Sequence, residues 1–114
     1  MQEQEQQVRK ITLDELKARM NDPKPYILAD ARDVDAYDEA HIPGAIPIPA
    51  EEVDRLAGQY DRDLEVITYC GSYQCLASTF AAKEFMKKGF RNVRDYKGGI
   101  KEWMDDGNPV ESNK

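Results

Sequence analysis

Two short apolar runs, residues 26–30 (YILAD) and 64–69 (LEVITY), are each followed by a stretch with helical spacing. That alternation constrains the fold more than any other feature. Continuous runs of Ile, Leu, Val and Tyr, without polar alternation, are strands covered on both faces. Strands joined through helices run parallel, because a parallel pair needs a long crossover and a hairpin cannot supply one. The pattern predicts an α/β domain. At 114 residues the chain has room for one such domain and not for two.

Local signals place the other elements. Thr12 and Glu15 form a capping box ahead of Leu13, Leu16 and Met20, which predicts a helix over 12–20, stopped by Pro23 and Pro25. A short helix is expected over 33–40 through Val34, Ala36, Tyr37 and Ala40. Residues 41–49 (HIPGAIPIP) read as a turn and a very short strand, since proline is excluded from central strands. Helices are expected over 50–57 and 76–88, stopped by Gly58 and Gly89. In the second, Leu76, Phe80, Ala81 and Phe85 are predicted to face inward and Lys83, Glu84, Lys87 and Lys88 outward. A strand over 92–96 and a final helix opened by Gly98-Gly99 complete the chain. The expected division is a polar lead-in at 1–10, the domain at 11–110 and a tail at 111–114.

Charge narrows the function. The net charge of −6 leaves no overall basic footprint for nucleic acid. No apolar run approaches the ~20 residues that span a bilayer, so no membrane partner is expected. Residues 1–10 lack the apolar core of an export signal, which points to a cytoplasmic location. The charges are unevenly spread. Residues 31–65 carry ten acids and three bases, residues 83–101 carry seven bases and two acids, and residues 66–82 carry no charged side chain. The basic stretch is a solvated helix face or a docking face for an acidic partner.

Both cysteines, Cys70 and Cys75, lie in the uncharged window. In open α/β sheets ligands bind beyond the carboxyl ends of the strands, where Cys70 is placed. Gly71, Ser72, Tyr73, Gln74, Cys75 and Leu76 then form a loop ahead of a helix. Backbone N–H groups and the positive end of the helix dipole favour an anion there and lower the pKa of a thiol. Strand, cysteine, loop and helix together make a recipe for a nucleophilic cysteine, although a cysteine at a strand end also occurs as plain packing.

Several motifs resemble the rhodanese-like domain family. They are Asp30-Ala31-Arg32, then Tyr37, His41-Ile42-Pro43-Gly44-Ala45 and Pro49; Tyr69-Cys70; Gly89-Phe90, Val93, Gly98-Gly99-Ile100 and Trp103; and Pro109-Val110. The resemblance covers roughly residues 11–110. It implies a single domain with a central, mainly parallel five-stranded sheet and helices on both faces. It also implies sulfurtransferase chemistry through a persulfide on Cys70, with Asp30 and Arg32 supporting the loop or the pocket mouth. On this reading His41 is structural and Trp103 covers the core. The donor is a small sulfur-containing anion or a protein persulfide, and the acceptor a small-molecule or protein thiol, or cyanide. No cofactor is needed, and two cysteines with one histidine are too few for a tetrahedral zinc site.

The chain departs from the family pattern at three places. Ala40 replaces a glycine. The common loop, Cys-x-x-x-x-Arg, here ends in Cys75, so the arginine that grips an oxyanion is missing. Cys70 also lies nineteen positions before Gly89, about two more than usual, and the extra residues are expected in the loop. The chain resembles a two-cysteine branch of the family. Two readings of Cys75 stay open: a small apolar residue at the helix start, or a resolving thiol that attacks the Cys70 persulfide. Tyr73 is expected at the rim, and Ser72 is either a hydroxyl donor or a turn residue. Leu76 stands where phosphatase chemistry on this fold needs an arginine. A dithiol redox protein cycling a Cys70–Cys75 disulfide and a non-catalytic binding module remain as alternatives.

Overall fold

The structure, a computed structural model, describes residues 7–114. Five strands form one all-parallel sheet: β1 (Arg9–Lys10), β2 (Tyr26–Asp30), β3 (Ile46–Pro47), β4 (Glu65–Tyr69) and β5 (Val93–Tyr96), in the order β1-β5-β4-β2-β3. β2 and β4, the two runs that stand out in the sequence, are central neighbours, with Asp30 paired to Tyr69. On the other side of β4, Tyr69 pairs with Tyr96. The residues after Asp30, Tyr69 and Tyr96 therefore emerge side by side at one edge.

Five helices cover the sheet: α1 (Leu13–Met20), α2 (Val34–Glu39), α3 (Val53–Leu56), α4 (Ala77–Lys87) and α5 (Gly99–Asp105). On one face Val53, Ala81, Ala82 and Phe85 of α3 and α4 pack on Ile27, Ala29 and Val66. On the other, Leu16, Tyr37, Ile100 and Trp103 of α1, α2 and α5 pack on Leu28, Ile67, Tyr69 and Tyr96. Alternation along β4 thus sends Val66 and Thr68 toward α4 and Ile67 and Tyr69 the other way. The capping box forms at both ends, Thr12 Oγ1 accepting from Glu15 N–H and Glu15 Oε1 from Thr12 N–H.

Three details differ from the sequence reading. The helix expected over 50–57 is divided into 3-10 turns at Ala50–Glu52 and Ala57–Gln59 flanking the four residues of α3. Arg9 and Lys10, expected in the lead-in, pair with Arg94 and Asp95 as the edge strand. The third concerns α4. Its buried stripe is Ser78, Ala81, Ala82 and Phe85, whereas Leu76 and Phe80 are 73% and 52% exposed. At 3.6 residues per turn, Ala81 and Phe85 lie on average about 140° round the helix from Leu76 and Phe80, so one stripe cannot hold all four. The sheet takes the small side chains, which let the helix axis come close. Among the described residues no helix is long and apolar enough to cross a membrane.

Candidate active site

Cys70 directly follows β4 and is buried, 4% exposed. The loop 70–76 leads to α4, whose cap residue Leu76 makes no side-chain cap hydrogen bond. The first N–H groups of an eleven-residue helix are therefore left without a side-chain acceptor from the cap. Cys75 folds back over the loop: its N–H donates to Ser72 O at 3.1 Å, and a disulfide joins it to Cys70, with the Cα atoms 6.3 Å apart. Ser72 Oγ donates to Gln74 Oε1 at 3.1 Å, which makes it a local turn residue in this state.

The loop is held from the β5 side. Ile100 N–H donates to Cys70 O at 3.0 Å and Lys101 N–H to Gly71 O at 2.9 Å. Gly99 makes this approach possible. Its φ is +67°, and a Cβ there would lie 2.6 Å from Cys70 O and 2.8 Å from the Gly71 carbonyl carbon. Lys97 Nζ donates to Cys75 O at 2.8 Å and to Thr79 Oγ1 at 3.3 Å. Thr79 donates in turn to the buried Asp95 carboxylate at 2.7 Å, and Thr68 Oγ1 donates to Ser78 O at 2.9 Å.

Lys97 is the residue that sequence reasoning misses. The window 66–82 holds no cation, and the search for a replacement for the absent arginine ends there. The missed signal is topological. Lys97 follows β5 as Cys70 follows β4, so the rule that selects strand ends selects both.

Asp30 and Arg32 act one residue before the cysteine and on the opposite face of the sheet. Asp30, fully buried, accepts from Arg32 Nε and Nη2 at 3.0 and 2.8 Å and from the Tyr69 hydroxyl at 2.8 Å. Arg32 Nη2 also reaches Ala40 O at 2.6 Å, and Ile42 N–H donates to the Tyr69 hydroxyl at 3.1 Å. Burial and the Asp30 charge push the Tyr69 phenol well above its ordinary value, so it stays a neutral donor. His41 lies apart from this chemistry. Its ring stacks on Tyr37 with centroids 3.9 Å apart, and its Nδ1 is 2.7 Å from Tyr37 O. Trp103 is buried, its indole N–H donating to Pro109 O at 2.7 Å.

Beside the loop lies a cleft of about 300 Å³ lined by Ser72, Tyr73, Gln74, Gly98, Lys101, Glu102 and Asp105. Tyr73 of this lining is exposed, as are Leu76 and Phe80 at the start of α4. The basic stretch divides: Lys97 and Lys101 stand at the loop and the cleft, and the other cations lie farther along α4 and beyond it. Lys87 ends α4, about 15 Å from its start at 1.5 Å per residue, and Lys88 and Arg91 follow it. They pair with Glu84, Asp54 and Asp63.

Known proteins are similar to this chain in sequence and in fold. YrkF of Bacillus subtilis is 30% identical over 93 residues, 82% of this chain and 49% of that protein, so the chain spans about half its length. The thiosulfate sulfurtransferase GlpE of Coxiella burnetii is 28% identical over 88 residues, 77% of this chain and 80% of its own. The BH2092 protein of Bacillus halodurans superposes with a TM-score of 0.85 at 31% identity, covering 92% of this chain and 77% of that one. The rhodanese-like domain of Alr3790 from Anabaena gives 0.80 at 27% identity, covering 93% and 80%. The rhodanese-like domain family itself matches residues 12–106, from the capping box of α1 to the end of α5, and with the parallel sheet these likenesses show that the chain belongs to the rhodanese-like domain family.

Proposed function

We propose that the protein is a sulfurtransferase that moves a sulfane sulfur from a donor to a thiol or cyanide through a persulfide on Cys70. The observation that carries this reading is the place of Cys70, at the carboxyl end of a central strand and ahead of an N-terminus of α4 that lacks a side-chain cap. Relatives named thiosulfate sulfurtransferase support it. The reaction starts from the reduced protein. The Cys70 thiolate attacks the outer sulfur of the donor, the remainder leaves, and Cys70 holds the new sulfur. Loop N–H groups and the α4 dipole stabilise the persulfide charge. An acceptor thiolate or cyanide then takes the terminal sulfur, which is covalent catalysis in two half-reactions. The supporting roles are Gly71, Ser72, Tyr73, Gln74 and Leu76 as the loop, and Asp30 and Arg32 as the buttress behind Tyr69.

The donor class follows from the charge around the loop. No guanidinium stands at its sixth position, and the Lys97 ammonium is engaged on Cys75 O. The exposed apolar side chains of Tyr73, Leu76 and Phe80, on the loop and the start of α4, suit a persulfide on an organic or protein carrier better than a bare thiosulfate dianion. A cycle through free Cys70 needs a reducing compartment, which favours the cytoplasm.

The test is steady-state turnover of reduced protein with thiosulfate, and separately an alkyl persulfide, against cyanide. Parallel double-reciprocal lines and loss of thiocyanate formation in Cys70→Ser are expected. Unchanged turnover in Cys70→Ser would overturn the reading. The Cys70–Cys75 bond favours one second reading, a dithiol redox protein, which predicts reversible closure of the disulfide with no uptake of sulfur.

A further inference from the structure

The disulfide shows that the two sulfur atoms of the loop reach each other within the folded sheet and helices. Cys70 is buried, 4% exposed, so a dissolved acceptor has to enter a closed loop to touch its sulfur. Cys75 is already there. Three restraints hold it in place: the turn from Ser72 O to Cys75 N–H, the Lys97 ammonium on Cys75 O, and the start of α4 two residues on. A thiol held in contact reacts with the advantage of an intramolecular group over one in solution. No side chain in 66–82 carries a charge, so none repels the thiolate that Cys75 must become.

We infer that Cys75 is the first acceptor of this site, and that the protein releases the sulfur it takes up as sulfide. The inference rests on the proposed persulfide on Cys70. In the first step the Cys70 thiolate attacks the terminal sulfur of a persulfide, R–S–SH, giving Cys70–S–SH and R–S⁻. In the second the Cys75 thiolate attacks Sγ of Cys70. The Cys70–Cys75 bond forms, the bond to the terminal sulfur breaks, and HS⁻ leaves with the electron pair. Both protein cysteines are then oxidised to the disulfide, and the sulfane sulfur is reduced to sulfide. An external dithiol resets the loop by exchange, giving its two protons to Cys70 and Cys75 and becoming a disulfide itself. The net reaction is persulfide plus dithiol giving thiol, sulfide and disulfide. The enzyme is then a dithiol-dependent persulfide reductase as well as a sulfur carrier, and the bonded loop is its oxidised intermediate.

The experiment is a single turnover. Full-length protein is reduced, freed of reductant without air, and mixed with one equivalent of an alkyl persulfide. Trapped sulfide and intact mass are read for the wild type, Cys75→Ser and, as a second variant, Cys75→Ala. The expected result is close to one sulfide per wild-type chain with loss of two hydrogens. The two variants gain one sulfur atom on Cys70 and release at least tenfold less sulfide. If the wild type keeps the extra sulfur as the variants do, the resolving role is overturned and the sulfur-carrier reading stands. If the variants gain the alkylthio group of the donor instead, Cys70 attacks the wrong sulfur and the inference falls. If neither variant gains sulfur and the wild type releases no sulfide, the carrier reading fails and this inference falls with it.

Discussion

The ammonium of Lys97 donates to the carbonyl oxygen of Cys75 at 2.8 Å, across 22 positions of sequence. The contact exists because β4 and β5 are parallel neighbours with Tyr69 beside Tyr96, so the residues that follow them leave the sheet at the same edge. A cation from one crossover thereby fixes the far end of a loop that has no cation of its own. The same ammonium reaches Thr79, which ties the loop to the first turn of α4 and through it to Asp95.

Removing that ammonium should loosen the loop without moving the sheet. Lys97→Met is expected to lower stability by about 1.5–3 kcal/mol, the range for a hydrogen bond to a charged group. It should also slow wild-type sulfide release roughly tenfold, equivalent to about 1.4 kcal/mol in the barrier. Lys97→Arg should restore most of the rate. Urea unfolding and stopped-flow detection of sulfide measure the two effects. A rate that follows stability alone, with no rescue by arginine, would remove the positioning role.

Gly99 faces a different constraint. Alanine there meets Cys70 O at 2.6 Å while held at a φ of +67°. Gly99→Ala should cost at least the ~1–3 kcal/mol of a non-glycine residue in this region, and should detach Ile100 N–H from Cys70 O. Gly58→Ala is the control, since nothing lies within 4 Å of its added methyl. Thermal melts of the two variants should separate them clearly.

The buried network behind Tyr69 can be dissected one partner at a time. Asp30→Ala leaves the half-buried Arg32 guanidinium without its carboxylate and should cost about 3–5 kcal/mol. Tyr69→Phe removes the hydroxyl that accepts from Ile42 and donates to Asp30, and should cost about 1–3 kcal/mol. Equal losses in the two variants, measured by denaturant unfolding, would contradict the assignment of Arg32 to Asp30.

Glu65 sets one acid limit of stability. Burial raises its carboxyl, but hydrogen bonds from Arg19 and Arg94 outweigh burial and hold it below its ordinary value of 4.5. A carboxyl lowered by folding adds stability above its unfolded value, and that stability is lost as pH falls through the folded value. Wild type should therefore exceed Glu65→Gln in stability at neutral pH. The gap should narrow from about pH 5 downward. A constant gap in melts across that window would contradict the arginine pairing.

Legibility in the sequence followed the range of the forces involved. β2, β4 and the capping box of α1 are local patterns, and the structure places them where the residues point. The five-stranded sheet with helices on both faces came through the resemblance, and the all-parallel order agrees with the crossovers. The place of Cys70 at a strand end was legible because the run 64–69 leads straight into it. The inward face of α4 was not. Leu76 and Phe80 look more apolar than Ser78 and Ala82, yet closeness to the sheet favours small side chains over hydrophobic ones. Lys97, Gly99 and the link from Asp30 to Tyr69 depend on which strands become neighbours, which no local window contains. The tail shows the same limit: the His41–Glu111 bridge and the bond from Asn113 N–H to Asp38 O join it to α2 and the turn that follows.

The central claim is that Cys70 carries the sulfur, and intact mass tests it most directly. Reduced Cys75→Ser is incubated with an alkyl persulfide, and Cys70→Ser is treated in parallel. The prediction is one added sulfur atom on the first protein, mapped to the peptide bearing Cys70 and removed by cyanide, with none on the second. Equal labelling of both proteins, or of neither, would contradict a persulfide on Cys70.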